Sequence, residues 1–187
     1  MAGANDARAA SGREQMIGVA GAPADSVEPM SSDTWILSGE NPYESRVERT
    51  FAFIDLSGFT AYTDAEGDGA AVALLTVFRT RVRAIAARRG VRIAKWLGDG
   101  AMLVGTEAEA LTEAIVDMEE AFGGDDVPLS LRGGLASGPV ILFEGDDYIG
   151  QAVNLAARLC SMAKPGEVLA TKAMISSLMV NTDATPI

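Results

Sequence analysis

An α+β fold ordered βαββαβ follows from three features of the sequence. These are short apolar runs of strand length, two amphipathic helical stretches between them, and an Asp-Gly turn joining two of the runs. The 187 residues suffice for one domain with a sizeable core and a tail. Residues 1–46 are rich in Ala, Gly, Ser, Asp and Pro without a sustained period and read as a flexible segment, with Trp35, Ile36 and Leu37 as one point of attachment. Residues 47–187 are expected to form the folded domain.

The first strand is expected at 50–56, where Phe51 and Phe53 sit in a short apolar run. Over 64–89, Ala71, Leu74, Leu75, Phe78, Val82 and Ile85 recur at three and four residues, which makes one stripe of a helix apolar, and Gly90 ends it. Residues 91–97 and 101–104 flank Gly98-Asp99-Gly100, a hairpin signal. A second helix over 107–122 and a strand over 129–136 complete the order, which predicts an antiparallel-rich, ferredoxin-like sheet with helices on one face. Beyond it come a strand at 139–144 and a helix at 150–162 with Val153, Ala156, Ala157 and Cys160 inward. A short strand at 168–170 follows the Pro165-Gly166 turn.

Composition narrows the chemistry. The chain has no histidine, so mechanisms that need an imidazole base are excluded. One cysteine, Cys160, allows neither an intramolecular disulfide nor a Cys/His zinc set. A net charge of −11 argues against a nucleic-acid surface, so a phosphate ligand must be met by metals, local cations or backbone amides. No apolar run reaches the roughly 18–20 residues of a membrane span, and a cytoplasmic setting is expected.

Several side chains stand out. Asp55 ends the first strand and Asp99 tips the hairpin; in such a sheet both reach one edge, where hard oxygen ligands suit Mg²⁺ or Mn²⁺, although each is also an ordinary strand-end or turn residue. Ser57, Gly58, Phe59 and Thr60 form a Gly-containing turn beside a helix start, a geometry that favours anions or simply uses the freedom of Gly58. Lys95 lies on an apolar strand with 97 and 99 on its side, either turned inward or solvated at a sheet edge. Asn154 and Arg158 share one helix face, as a phosphate grip or a surface pair.

Together, Phe53-Ile54-Asp55-Leu56-Ser57-Gly58-Phe59-Thr60, Lys95-Trp96-Leu97-Gly98-Asp99-Gly100, Arg132-Gly133-Gly134 and the run from Asp147 to Leu159 closely resemble the class III nucleotide cyclase catalytic domain, of the bacterial homodimeric adenylyl type. The resemblance covers roughly residues 50–172. It implies Asp55 and Asp99 as ligands of two ions, Mg²⁺ or Mn²⁺, with the Leu56 carbonyl as an additional ligand, and the amides of Ser57, Gly58, Phe59 and Thr60 on the distal phosphates. Lys95 and Asp147 match the pair that reads the purine in adenylyl members, where guanylyl members usually carry Glu and a small residue. Asn154 would orient the ribose and Arg158 would stabilise charge on the α-phosphate, giving conversion of ATP to 3′,5′-cyclic AMP and pyrophosphate.

In that family the metal and purine residues of one site come from opposite subunits, so the resemblance also implies a homodimer with shared sites. The chain stops soon after the strand at 168–170, where many members continue into another helix and strand pair. That shortening favours the alternative of a catalytically silent, nucleotide-binding or heterodimerising regulatory module. A guanylyl cyclase is the rival among enzymes. The Gly-Gly-Asp/Glu-Glu-Phe signature of diguanylate cyclases is absent.

Overall fold

A computed structural model describes residues 45–175 except 125 and 146. The chain divides into two units, Met1–Glu40 and Asn41–Ile187, and the described residues belong to the second. The expectations for the N-terminal segment before Ser45, including Trp35, Ile36 and Leu37, and for the end of the chain lie outside the described residues.

The elements are β1 (Arg46–Leu56), α1 (Phe59–Arg89), β2 (Arg92–Leu97), β3 (Gly100–Gly105), α2 (Ala108–Phe122), β4 (Leu131–Phe143), β5 (Asp147–Ile149), α3 (Gln151–Met162) and β6 (Val168–Ala170), followed by a 3₁₀ turn at Lys172–Met174. The sheet runs β2-β3-β1-β4-β5, and β6 also pairs with β4. Every pairing is antiparallel except β4 with β6, so the antiparallel-rich expectation holds.

Alternation along the strands divides the core. Ala52, Ile54 and Leu56 of β1 join Ala101, Leu103, Leu131 and Leu135 against α1 and α2, through Phe78, Val82, Leu111, Ile115 and Met118. Phe51, Met102, Val104, Ala136 and Val140 point the other way and meet Ala152 and Ala156 of α3. Helices therefore cover both faces of the sheet, one more than the βαββαβ order alone predicts. The two helices of the βαββαβ unit do share a face, but α3 follows the edge strand β5 and crosses to the opposite side. It buries Ala152, Ala156 and Cys160, while Val153 and Ala157 are half-buried.

A Cβ on Gly134 would stand 2.1 Å from the Cys160 nitrogen and 2.3 Å from the Ala156 carbonyl oxygen, so α3 seats directly on the β4 backbone. This contact needs glycine because helix and strand meet main chain to main chain.

The strands expected at 129–136 and 139–144 are one strand, β4. Gly138 and Pro139 read as a break because proline lacks a ladder donor. On β4, Gly133 N–H donates to the Glu167 carbonyl and the Leu135 carbonyl accepts from Thr171 N–H, so odd-numbered residues turn their polar groups toward the β6/β5 side. Pro139 falls between the residues paired to β6 and those paired to β5, where no partner needs its missing N–H. Helix α1 starts earlier than its apolar stripe, directly after Gly58, and is interrupted at Gly67 (φ 82°, ψ 168°). Among the described residues no helix is long and apolar enough to cross a membrane.

The C-terminal end of α1 is tied to α2 by charge. Arg89 donates from Nε and Nη2 to Asp117, each at 2.8 Å, and from Nη1 to Glu113 at 2.5 Å, while Arg88 donates to Asp117 at 2.8 Å. The hydrogen bonds from Arg89 hold the Asp117 carboxyl below the usual carboxylate range.

Two outcomes follow. Gly134→Ala should cost about 3 kcal/mol through the clash with α3, read as a lower urea midpoint. Because the folded protein holds Asp117 below its unfolded value of about 4, the unfolded chain binds that proton more readily. The stability from this contact is full above that pH and is lost as pH falls through the folded pKa. Urea titrations should therefore show Asp117→Asn weaker than the parent at neutral pH, with the gap narrowing below about pH 4.

Candidate active site

The β1 register places Asp55 opposite Gly100 of β3 on one side and opposite Arg132 of β4 on the other. The hairpin tip is fastened to β1, since Leu56 N–H donates to the Asp99 carbonyl at 3.2 Å. Asp55 and Asp99 are thus brought to one strand end, as the sequence predicts. Burial pushes the Asp99 carboxyl above its ordinary range, and the charge of Asp55 pushes it further; its own backbone N–H and Arg132 act in the opposite direction.

Arg132 donates from Nη2 and Nε to Oδ2 of Asp55 at 2.5 and 2.9 Å. Its place at the site was not read from its motif. The available signal is a lone cation in the small and apolar stretch from Leu131 to Ala136. Asp55, Arg132, Phe53, Leu97, Gly100 and Cys160 line a cleft of about 190 Å³. Burial, with the Asp55 charge, pushes the Cys160 thiol up to about 11, so it stays protonated at neutral pH.

Gly58 adopts φ 82°, a left-handed turn that an L side chain resists, and α1 begins at the next residue without a side-chain cap. The Ser57 N–H is already used, donating to the Ser130 carbonyl at 2.9 Å. Anion-binding capacity in this loop therefore rests on the first-turn amides that follow, including Phe59 and Thr60, which a helix leaves without intrahelical acceptors. The Ser57 hydroxyl oxygen is buried without a hydrogen-bond partner.

Lys95 lies on β2, an edge of the sheet, and its ammonium group contacts the Asp147 carboxylate. The strand is an edge, but Lys95 is neither buried nor simply solvated, since it pairs with Asp147 while the two side chains stay 46% and 50% exposed. Asp147 starts β5, a short strand that lies between the elements expected at 139–144 and 150–162 and was not itself expected. Asn154 and Arg158 stand four apart on the exposed side of α3, away from the buried Ala152, Ala156 and Cys160. Within one chain the structure gathers Asp55, Asp99 and Arg132 in one group and Lys95 with Asp147 in another; Asn154 and Arg158 face solvent.

Two carboxylates alone make a sparse metal set. Among the described residues no group of three or more His, Cys, Asp or Glu gathers, so a metal here would need further oxygen ligands, such as the Leu56 carbonyl or water, to complete its shell. The electrostatics still suit cations, because Asp99 is a partly buried carboxyl held beside a second negative charge.

Residues 42–185 match the adenylate and guanylate cyclase catalytic domain family. The chain is 42% identical over 118 residues to an uncharacterised protein of Mycobacterium tuberculosis, covering 63% of this chain and 31% of that protein. It is 34% identical over 143 residues to an adenylate cyclase of Streptomyces coelicolor, covering 75% and 37%. The chain thus spans about a third of the length of the curated relatives it matches. Among solved structures it is similar to the adenylyl cyclase CyaB of P. aeruginosa (TM-score 0.60, 29% identity, covering 70% of this chain and 79% of that one). It is also similar to the monomeric guanylyl cyclase domain of the RhoGC fusion protein of Blastocladiella emersonii (TM-score 0.64, 25% identity, covering 69% and 83%). Because the family match covers most of its length, the chain belongs to the class III adenylyl and guanylyl cyclase catalytic domain family.

Proposed function

We propose that this chain is an adenylyl cyclase, converting ATP to 3′,5′-cyclic AMP and pyrophosphate at sites shared between two copies of itself. The observation that carries the choice of ATP is the Lys95 ammonium held against the Asp147 carboxylate. A donor beside an acceptor suits the adenine edge, which offers a ring acceptor next to an exocyclic amine, and guanine offers the reverse.

The reaction is an in-line displacement. The ribose 3′-oxygen forms a bond to the α-phosphorus and loses its proton, while the bond to the β-phosphate oxygen breaks and pyrophosphate leaves. Asp55, Asp99 and the Leu56 carbonyl would hold Mg²⁺ or Mn²⁺, which when bound would neutralise phosphate charge and make the 3′-hydroxyl more acidic. The amides after Gly58 receive the distal phosphates, and Arg132 adds a guanidinium beside Asp55. Asn154 orients the ribose and Arg158 meets the charge that grows on the α-phosphate. No step needs histidine, in accord with the composition.

Support for a dimer comes from two features. Asn154 and Arg158 are exposed on α3 and do not line the cleft at Asp55 in their own chain. Leu97, Leu142, Ile149, Leu155 and Met162 are exposed by 36–67%, leaving apolar surface for a second copy to cover.

With Mg²⁺ or Mn²⁺ present, the protein should form cyclic AMP from ATP, and Asp55→Ala should lower the rate at least about 100-fold, the effect of losing several kcal/mol of transition-state stabilisation. Cyclic nucleotide assayed by chromatography checks this. A parent protein that dimerises and binds ATP without turnover would contradict the reading and leave the silent regulatory module.

A further inference from the structure

We propose that Tyr148 and Arg92 form a strut that sets the position of the Lys95–Asp147 pair, which makes Tyr148 a positioning residue for base selectivity. This rests on the reading of Lys95 and Asp147 given above.

Strands β2 and β5 are opposite ends of the strand order, so no ladder joins them. They nevertheless meet across the α3 face through two adjacent contacts. Lys95 reaches Asp147, and Arg92 Nη2 donates to the Tyr148 hydroxyl oxygen at 2.6 Å, with the guanidinium carbon 5.8 Å from the Tyr148 ring centroid.

The β2 backbone is arranged for this. Side chains three apart on a regular strand fall on opposite faces. Here the register runs Arg92 to Val104, Ile93 to Leu103, then Lys95 to Met102, with a bulge between Ile93 and Lys95. Val104 and Met102 both belong to the α3-side core, so the extra residue turns Arg92 and Lys95 to the same face. On β5 their partners, Tyr148 and Asp147, are consecutive.

The two contacts differ in anchorage. The Tyr148 ring stands edge-on to Phe51 at 5.2 Å, and Phe51 is fully buried on the central strand. The Lys95 and Asp147 side chains are about half exposed, and an exposed ion pair is weakly held in water. A line of contact therefore runs from Phe51 through Tyr148 to Arg92, and it holds the ends of β2 and β5 together beside the Lys95–Asp147 contact.

The test measures kcat/KM for ATP and for GTP, with Mn²⁺, in the parent, Tyr148→Phe, Arg92→Gln and the double variant. Tyr148→Phe keeps the ring on Phe51 and removes only the hydroxyl. The ATP/GTP ratio should fall about fivefold in each single variant, the share of one net hydrogen bond, with little further loss in the double variant. The loss should lie in KM for ATP rather than kcat, with Tm lowered by no more than about 2–4 °C and dimer mass unchanged. If the parent makes cyclic AMP but Tyr148→Phe keeps the ratio within twofold, or the losses add independently, the strut is wrong and the cyclase reading stands. If the parent neither turns over nor binds either nucleotide, both fall.

Discussion

The register of β1 is the constraint on which this structure depends. β1 is central and paired on both sides, and its alternation sends Ala52, Ile54 and Leu56 to the α1/α2 core while Phe51, Phe53 and Asp55 face α3. A slip by one residue would bury Asp55 beneath two helices and drive Ile54 or Leu56 into the cleft. Burial of Phe51, Ile54 and Leu56, each at most 2% exposed, therefore also places a carboxylate where Gly100 and Arg132 flank it. Packing and chemistry are set by one choice.

The α3 side of the sheet is built more thinly. Its helix seats Ala156 and Cys160 directly over Gly134 and Ala152 against Gly138, so little side-chain volume separates helix from strand. Close seating keeps Ala157, Cys160 and Ser161 at the rim of the cleft, while Asn154 and Arg158 are exposed and outside its lining. The rest of that side is left to a curl of the sheet ends, closed by side chains of β2 and β5. One chain thus presents two separate groups of polar residues with exposed apolar surface around them, an arrangement that the proposed symmetric pair of copies would complete.

Much of this was legible in the sequence because local signals and tertiary packing agree. The Asp-Gly hairpin, the apolar stripe of α1 and the short β6 were readable, as was the convergence of Asp55 with Asp99. What failed depended on long-range partners. Pro139 looked like a strand end until β4 was seen to have a gap between its neighbours at that point. The face taken by α3 could not be read because periodicity gives a helix an inner side but not the side of the sheet it meets. Arg92 and Tyr148 carried no signal, since a bulge between residues 93 and 95 breaks the alternation by which strand faces are inferred. Arg132 was seen as part of a motif, but its contact with Asp55 appears only when β1 and β4 are paired.

The central claim is that each site is assembled from two copies of the chain, the Asp55/Asp99 group of one facing Asn154 and Arg158 of the other. Mixing two inactive variants, Asp55→Ala and Arg158→Ala, tests it most directly. If sites are shared, mixed dimers hold one intact site and cyclic AMP formation returns, to about a quarter of the parent rate when half the molecules are mixed dimers and each carries one of two sites. If the mixture stays as inactive as its components while sizing shows that mixed dimers have formed, the sites are not shared in this way and the account is wrong.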